Sequence, residues 1–265
     1  VRFLQGTSGS QPPSYRLADG CETIRSRTKA VAALAMLATM SWNRLVRSGS
    51  TCPQNRRKND MASESTGKER FQEAYAGQPP WDIGRPQPVF VQAADPITGS
   101  ILDAGCGTGD NALFFAERGH KVTGIDFLEK PIAEARQKAQ RRELQATFLV
   151  IDVMALGEIP EQFDSVIDCG LFHVFSDEDR ARYVTALASA LRPGGRLFLC
   201  CFSDQEPPGQ GPRRVSRQEL HDAFAQGWQV ESIQEARFEA RPGLEDVPFS
   251  EGGPRAWFCV IRRSV

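Results

Sequence analysis

The residues best placed to do chemistry stand at Ile101-Leu102-Asp103-Ala104-Gly105-Cys106-Gly107-Thr108-Gly109, an apolar run that closes on an acid and three alternate glycines. Alternate glycines let a backbone turn tightly and approach a ligand with no Cβ in the way, and a helix starting directly behind them offers unpaired N–H groups. A ligand carrying a carboxylate or phosphate is implied. Gly107-Thr108-Gly109-Asp110-Asn111-Ala112 also fits G-x-G-x-x-A, a pattern that does not by itself separate one adenosine ligand from another. Two acids narrow the choice. A buried charge on Asp103, at the end of the strand, would repel a pyrophosphate but can pair with an ammonium and order the glycine loop. Asp126, roughly 20 residues further on, suits a carboxylate that accepts hydrogen bonds from ribose hydroxyls.

Asp103-Ala104-Gly105-Cys106-Gly107-Thr108-Gly109 resembles motif I of the class I S-adenosylmethionine-dependent methyltransferases. Later segments are similar to the family in the same order: Asp126-Phe127, Asp152-Val153, Asp168-Cys169-Gly170-Leu171-Phe172-His173 and Leu191-Arg192-Pro193-Gly194-Gly195. The resemblance spans roughly residues 70 to 263 and implies S-adenosylmethionine as the cofactor. It assigns Asp126 and Phe127 to ribose and adenine, and Asp152 and Val153 to the adenine edge. The implied binding set is Trp81, Asp103, Gly105, Cys106, Gly107, Thr108, Gly109, Asn111, Asp126, Phe127, Asp152, Val153, Asp168 and Cys169.

A second resemblance narrows the class. Tyr75-Ala76-Gly77-Gln78-Pro79-Pro80-Trp81-Asp82-Ile83-Gly84-Arg85-Pro86 is similar to the segment before motif I in small-molecule methyltransferases, including the thiopurine, thiol and halide branch. There it covers the cofactor. Trp81 would lie over the sulfonium and the reacting methyl, while Arg85 would reach a carboxylate or hold Asp82. The chain lacks the Asn/Asp-Pro-Pro-aromatic motif that holds a planar amide or amine, and lacks a glutamate pair for a guanidinium. Small thiols, phenols and heterocycles are the acceptors the second resemblance implies. His173, with an ordinary pKa near 6.5, is the candidate base, and Trp81 and Arg85 complete the expected catalytic set. Cys169 reads as a buried strand-end thiol, and no metal site is expected. A nicotinamide-dependent oxidoreductase and a non-catalytic S-adenosylmethionine-binding module are the alternatives.

Alternating strand-like and helix-like segments must position these residues, and that alternation argues for a parallel sheet with helices on both faces. Strands are expected at residues 97–103, 120–126, 146–151, 163–169 and 196–202, with two more near 228–233 and 256–261. Helices are expected at 111–118, 131–142, from Ser176 to Pro193-Gly194-Gly195, and at 216–225. The predicted fold is a single-domain, Rossmann-like, doubly wound seven-stranded α/β sheet, mostly parallel with one antiparallel strand near the C-terminus. The loop from Ser203 to Val215 leaves the fifth strand beside the cleft and reads as a substrate lid, with Arg213 and Arg214 able to meet an electron-rich substrate.

The 265 residues carry 32 Lys and Arg against 33 Asp and Glu, but ten of the cations and only three of the anions fall within residues 1–60. The remainder is acidic, which disfavours nucleic acid and anionic membrane surfaces as partners. Met61 reads as a natural start, so that residues 1–60 are a disordered or non-native extension and 61–265 the methyltransferase domain; an organelle transit peptide is the other reading. Seven cysteines without C-x-x-C spacing imply reduced thiols and a cytoplasmic protein. A monomer or homodimer acting on a small-molecule acceptor is expected.

Overall fold

The computed structural model describes residues 67–209, 211–241 and 249–265, so the expectations for residues 1–60 and for the start at Met61 lie outside the described residues. Helices α1 (Gly67–Ala76) and α2 (Pro88–Gln92) precede the first strand. Strands β1 (Ile101–Ala104), β2 (Val122–Asp126), β3 (Ala146–Val150), β4 (Phe163–Cys169), β5 (Leu191–Phe202), β6 (Trp228–Arg237) and β7 (Arg255–Arg263) follow. Between them run α3 (Asp110–Glu117), α4 (Glu129–Arg141), α5 (Asp177–Ala190) and α6 (Arg217–Ala223).

The seven strands form one sheet in the order β3-β2-β1-β4-β5-β7-β6. Strands β1 to β5 pair in parallel, and β7 runs antiparallel to both of its neighbours. The single antiparallel strand expected near the C-terminus is therefore β7. Alternation along β5 builds both cores at once. Leu197, Leu199 and Cys201 join the cluster under α5 and α6, while Phe198, Cys200 and Phe202 join the one under α2, α3 and α4.

Several boundaries move. Ile97 packs in the turn before β1, and the strand itself starts at Ile101. Helix α5 ends at Ala190, earlier than expected, because Leu191 pairs with Phe163 and the Pro193-Gly194-Gly195 turn is drawn into an irregular start of β5. Its other end follows the sequence, with the Ser176 hydroxyl accepting the Asp179 N–H at 3.1 Å.

Strand β1 has β2 on one side and β4 on the other, so the connections leaving β1 and β4 diverge and open a crevice at the carboxyl ends of the strands. Register then sets which acids meet there. Ala104, the last residue of β1, stands beside Ile125 and Asp168, placing Asp103, Asp126 and Asp168 along one rim.

Candidate active site

The loop between β1 and α3 turns on Gly105, Gly107 and Gly109, all with left-handed φ. Asp126 braces it from β2: one carboxylate oxygen accepts the Gly107 N–H at 3.2 Å and the other accepts the Leu128 N–H at 2.9 Å. Burial raises the Asp126 carboxyl, and these N–H groups oppose that. Cys106 donates its N–H to the Ile125 carbonyl at 2.8 Å, fixing the loop to the end of β2.

Asp103 lies below the loop, 1% exposed, with no hydrogen-bond partner in normal geometry for either carboxylate oxygen. Burial pushes it up to about 8, against the pull of the Ala112 N–H and with the charges of Asp168, Asp126 and Asp110 adding to the rise. Asp168 is buried too and pushed up to about 7 by desolvation, but its oxygens are occupied. They accept the Leu171 N–H at 2.8 Å, the Phe172 N–H at 3.1 Å and the Tyr183 hydroxyl at 3.0 Å. Asp168 thus shapes the turn after β4. Cys169 is a free thiol raised by burial at the end of the same strand. Beyond β3, Asp152 is exposed and caps a short 3-10 turn by accepting the Met154 N–H at 2.9 Å, with Val153 buried behind it. Phe127 stands half-buried next to Asp126.

The segment before motif I covers the glycine loop, through a different residue from the one the sequence singled out. Trp81 is 45% exposed and sits edge-on to Phe71 and Tyr75, donating its Nε1–H to the Tyr75 hydroxyl at 3.2 Å. Tyr75, buried on α1, is the ring that meets the loop: a Cβ on Gly107 would lie 2.6 Å from its hydroxyl oxygen. Phe71 closes the group against Phe127. An aromatic pair spaced i, i+4 on α1 was the signal that could have found Tyr75 and Phe71.

Polar contacts sew this cover down. Thr108 of the loop donates to the Asp82 carboxylate at 3.0 Å and accepts from the Lys138 ammonium at 2.7 Å, which also pairs with Asp110 at 2.8 Å. Asn111 accepts the Gln87 N–H at 2.9 Å. The buried Gln87 amide then exchanges two 2.9 Å hydrogen bonds with the backbone of Glu239, just past β6. Arg85, expected to reach a ligand or hold Asp82, instead forms an exposed ion pair with Glu239.

His173 is 6% exposed, edge-on to Phe202 and Phe238, and its Nδ1 accepts the Phe202 N–H at 2.9 Å. A nitrogen that accepts an N–H carries no proton, so the neutral ring holds its hydrogen on Nε2. Burial, followed by the charges of Arg180 and Arg214, pushes its pKa down to about 3. The expected base thus has one ring nitrogen engaged by the backbone and a pKa held low by burial.

The geometry accommodates the cofactor implied by the glycine loop. A ligand ammonium would fit the unpartnered buried carboxylate of Asp103, and ribose hydroxyls and a purine would fit Asp126 and the half-buried ring of Phe127 next to it. The chain matches a methyltransferase domain over residues 101–195. It is 35% identical over 189 residues to 2-heptyl-1-hydroxyquinolin-4(1H)-one methyltransferase of Mycobacteroides abscessus, covering 69% of this chain and 83% of that protein. A probable thiol methyltransferase 2 of Arabidopsis thaliana is 29% identical over 178 residues, with 64% and 78% covered. A solved structure described for the conversion of a disulfide bond into a thioacetal group during echinomycin biosynthesis superposes with a TM-score of 0.65 at 38% identity, covering 74% of this chain and 92% of that one. With a methyltransferase domain matched over residues 101–195 and 35% identity over 83% of the mycobacterial methyltransferase, this chain belongs to the class I S-adenosylmethionine-dependent methyltransferases, in a small-molecule branch.

Proposed function

We propose that the acceptor is a small thiol, phenol or hydroxylated heterocycle, held between the ends of β4 and β5 and the segment that follows β6. The observation that carries this reading is the aromatic wall made by His173, Phe202, Phe238 and Phe249, whose rings pack edge-on or tilted with centroids 5.0 to 5.9 Å apart. Such a wall suits a flat apolar body carrying one polar reacting atom. The names of the hydroxyquinolinone and thiol methyltransferases among the relatives support the same acceptor chemistry.

S-adenosylmethionine supplies an electrophilic methyl on a sulfonium. The residues of the chain bind, orient and exclude water around it. In this reading Asp103 pairs with the ammonium, Asp126 takes ribose hydroxyls, Phe127 and Val153 flank the adenine with Asp152 at its edge, and Tyr75, steadied by Trp81, roofs the glycine loop. Rate enhancement comes from holding two partners in line in a dry pocket. The acidic balance of residues 61–265 favours an acceptor other than nucleic acid, and no described helix is long and apolar enough to cross a membrane. A cytoplasmic monomer or homodimer is the accompanying expectation.

Incubation with methyl-labelled S-adenosylmethionine and a panel of small thiols, phenols and hydroxyquinolines, with products identified by mass, tests the proposal. Label should appear on the heteroatom of at least one class. Cofactor binding without transfer to any of them would overturn it.

A further inference from the structure

We propose that Lys138, on α4 and outside the set of residues expected to bind the cofactor, is a positioning residue. It acts through Thr108 and Asp82 to latch the cover onto the glycine loop, and so sets how long S-adenosylmethionine or S-adenosylhomocysteine stays bound. Thr108 stands between two carboxylates with one hydrogen to give: Asp82 of the cover lies 3.0 Å from its hydroxyl oxygen, and Oδ2 of Asp110 on α3 lies 3.5 Å from it. Lys138 decides between them. An ammonium can only donate, so at 2.7 Å the Thr108 oxygen accepts from it, and the same ammonium pairs at 2.8 Å with the Asp110 Oδ2 that would otherwise compete for the hydroxyl hydrogen. The Thr108 hydrogen is thereby turned toward Asp82. The Lys138 and Asp110 side chains are only 11% and 9% exposed, so their attraction is little screened. Glu134, 3.9 Å from Lys138, and Arg142, 3.8 Å from Asp110, stand at the more exposed rim, beyond hydrogen-bond range.

Helix α4 is a firm base for such a latch. Its Arg136 guanidinium donates twice to the Phe148 carbonyl, at 2.7 and 3.1 Å, which pins the helix to β3. Its Ala135 backs the glycine loop directly, since a Cβ added at Gly109 would stand 2.9 Å from that of Ala135. The helix also reaches the cover at a second point. The Lys130 ammonium donates to the Tyr75 carbonyl near the end of α1, a helix with no basic residue in its own last turn, where a cation suits the helix dipole. Arg85 pairs with Glu239 and so leaves the Asp82 carboxylate to Thr108. One helix therefore holds the cover both at α1 and, through Thr108, at the residue next to Trp81.

Release of labelled S-adenosylhomocysteine from the full chain, chased with excess unlabelled ligand, reads the latch. No acceptor is present, so a wrong acceptor class leaves the result standing. Asp82→Ala, which keeps the buried ion pair, should release the ligand about 5- to 20-fold faster, with the association rate held within about threefold. Lys138→Met should match it. Lys138→Met/Asp82→Ala should then be no faster than either single variant, because both cut the same chain of hydrogen bonds. Rates that multiply in the double variant, or release from Lys138→Met at the unmodified rate, would overturn the proposal. Lys138→Met also leaves Asp110 buried without its cation, and Lys138→Met/Asp110→Ala removes that burden. With no rival carboxylate the Thr108 hydroxyl returns to Asp82, and release should slow to within about threefold of the unmodified rate. Release from this variant as fast as from Asp82→Ala would show that the ion pair supports the fold without directing Thr108, and would overturn the proposal even if Lys138→Met itself fails to fold.

Discussion

The hydroxyl of Tyr75 occupies the space above Gly107, 2.6 Å from where a Cβ would stand, so the cover over motif I rests on the absence of a side chain. Gly107 also sits at a φ of 53°. Alanine there meets a strained backbone and a clash together. Gly107→Ala should weaken S-adenosylhomocysteine binding by at least about tenfold and cost about 1 to 3 kcal/mol of stability. Adding Tyr75→Ala should restore part of both losses, because it removes the clash but not the strain. Strict additivity in the double-mutant cycle would disprove the contact.

Asp126→Ala removes the acceptor for the Gly107 and Leu128 N–H groups as well as the proposed ribose contact. Cofactor affinity should fall by about 1 to 3 kcal/mol, measured by calorimetry. Unchanged affinity would withdraw Asp126 from the site.

Asp103 gives the pH dependence its sign. Its folded-state carboxyl, at about 8, lies above the unfolded value of about 4, so between those limits the folded state binds more protons than the unfolded one. Stability of the free protein should be greatest at the low end of this window and decline as pH rises through it, with Asp168, at about 7, adding in the same direction. An ammonium beside Asp103 requires the ionised form. Binding of S-adenosylhomocysteine near pH 7 should therefore release close to one proton, visible as a buffer-dependent calorimetric enthalpy, and Asp103→Asn should abolish that release.

Glu239 is bound by two residues of the cover, and they should differ in consequence. Arg85→Ala breaks an exposed ion pair and should change stability by no more than about 1 kcal/mol. Gln87→Ala strips two buried backbone groups of their partners and should cost about 1 to 3 kcal/mol. Equal melting-temperature shifts would refute the distinction.

The sheet was legible in the sequence because its strands are short apolar runs separated by turn and cap residues. Strand β4 falls at residues 163–169, the expected span, Asp126 closes β2 and Asp103 stands one residue before the end of β1. Orientation was the illegible part. The strand-end position of His173 could be read, but the state of its ring depends on the Phe202 N–H, 29 residues away. Trp81 drew attention as the largest aromatic of its segment, yet a segment's composition does not say which ring faces inward; α1 buries Tyr75 and leaves Trp81 as its hydrogen-bond donor. Arg85 meets Glu239, 154 residues away, a pairing that the segment's own composition does not announce.

Gln87 and Glu239 lie 152 residues apart in the chain, and their paired hydrogen bonds form only once β6 is in place at the far edge of the sheet. The clasp is a long-range closure made after the more local β1–β2 and β2–β3 pairings, which places it late on any folding route. A refolding chain should therefore regain its far-ultraviolet helix and strand signal before it can retain S-adenosylhomocysteine, and the lag between the two would time the closing of this clasp.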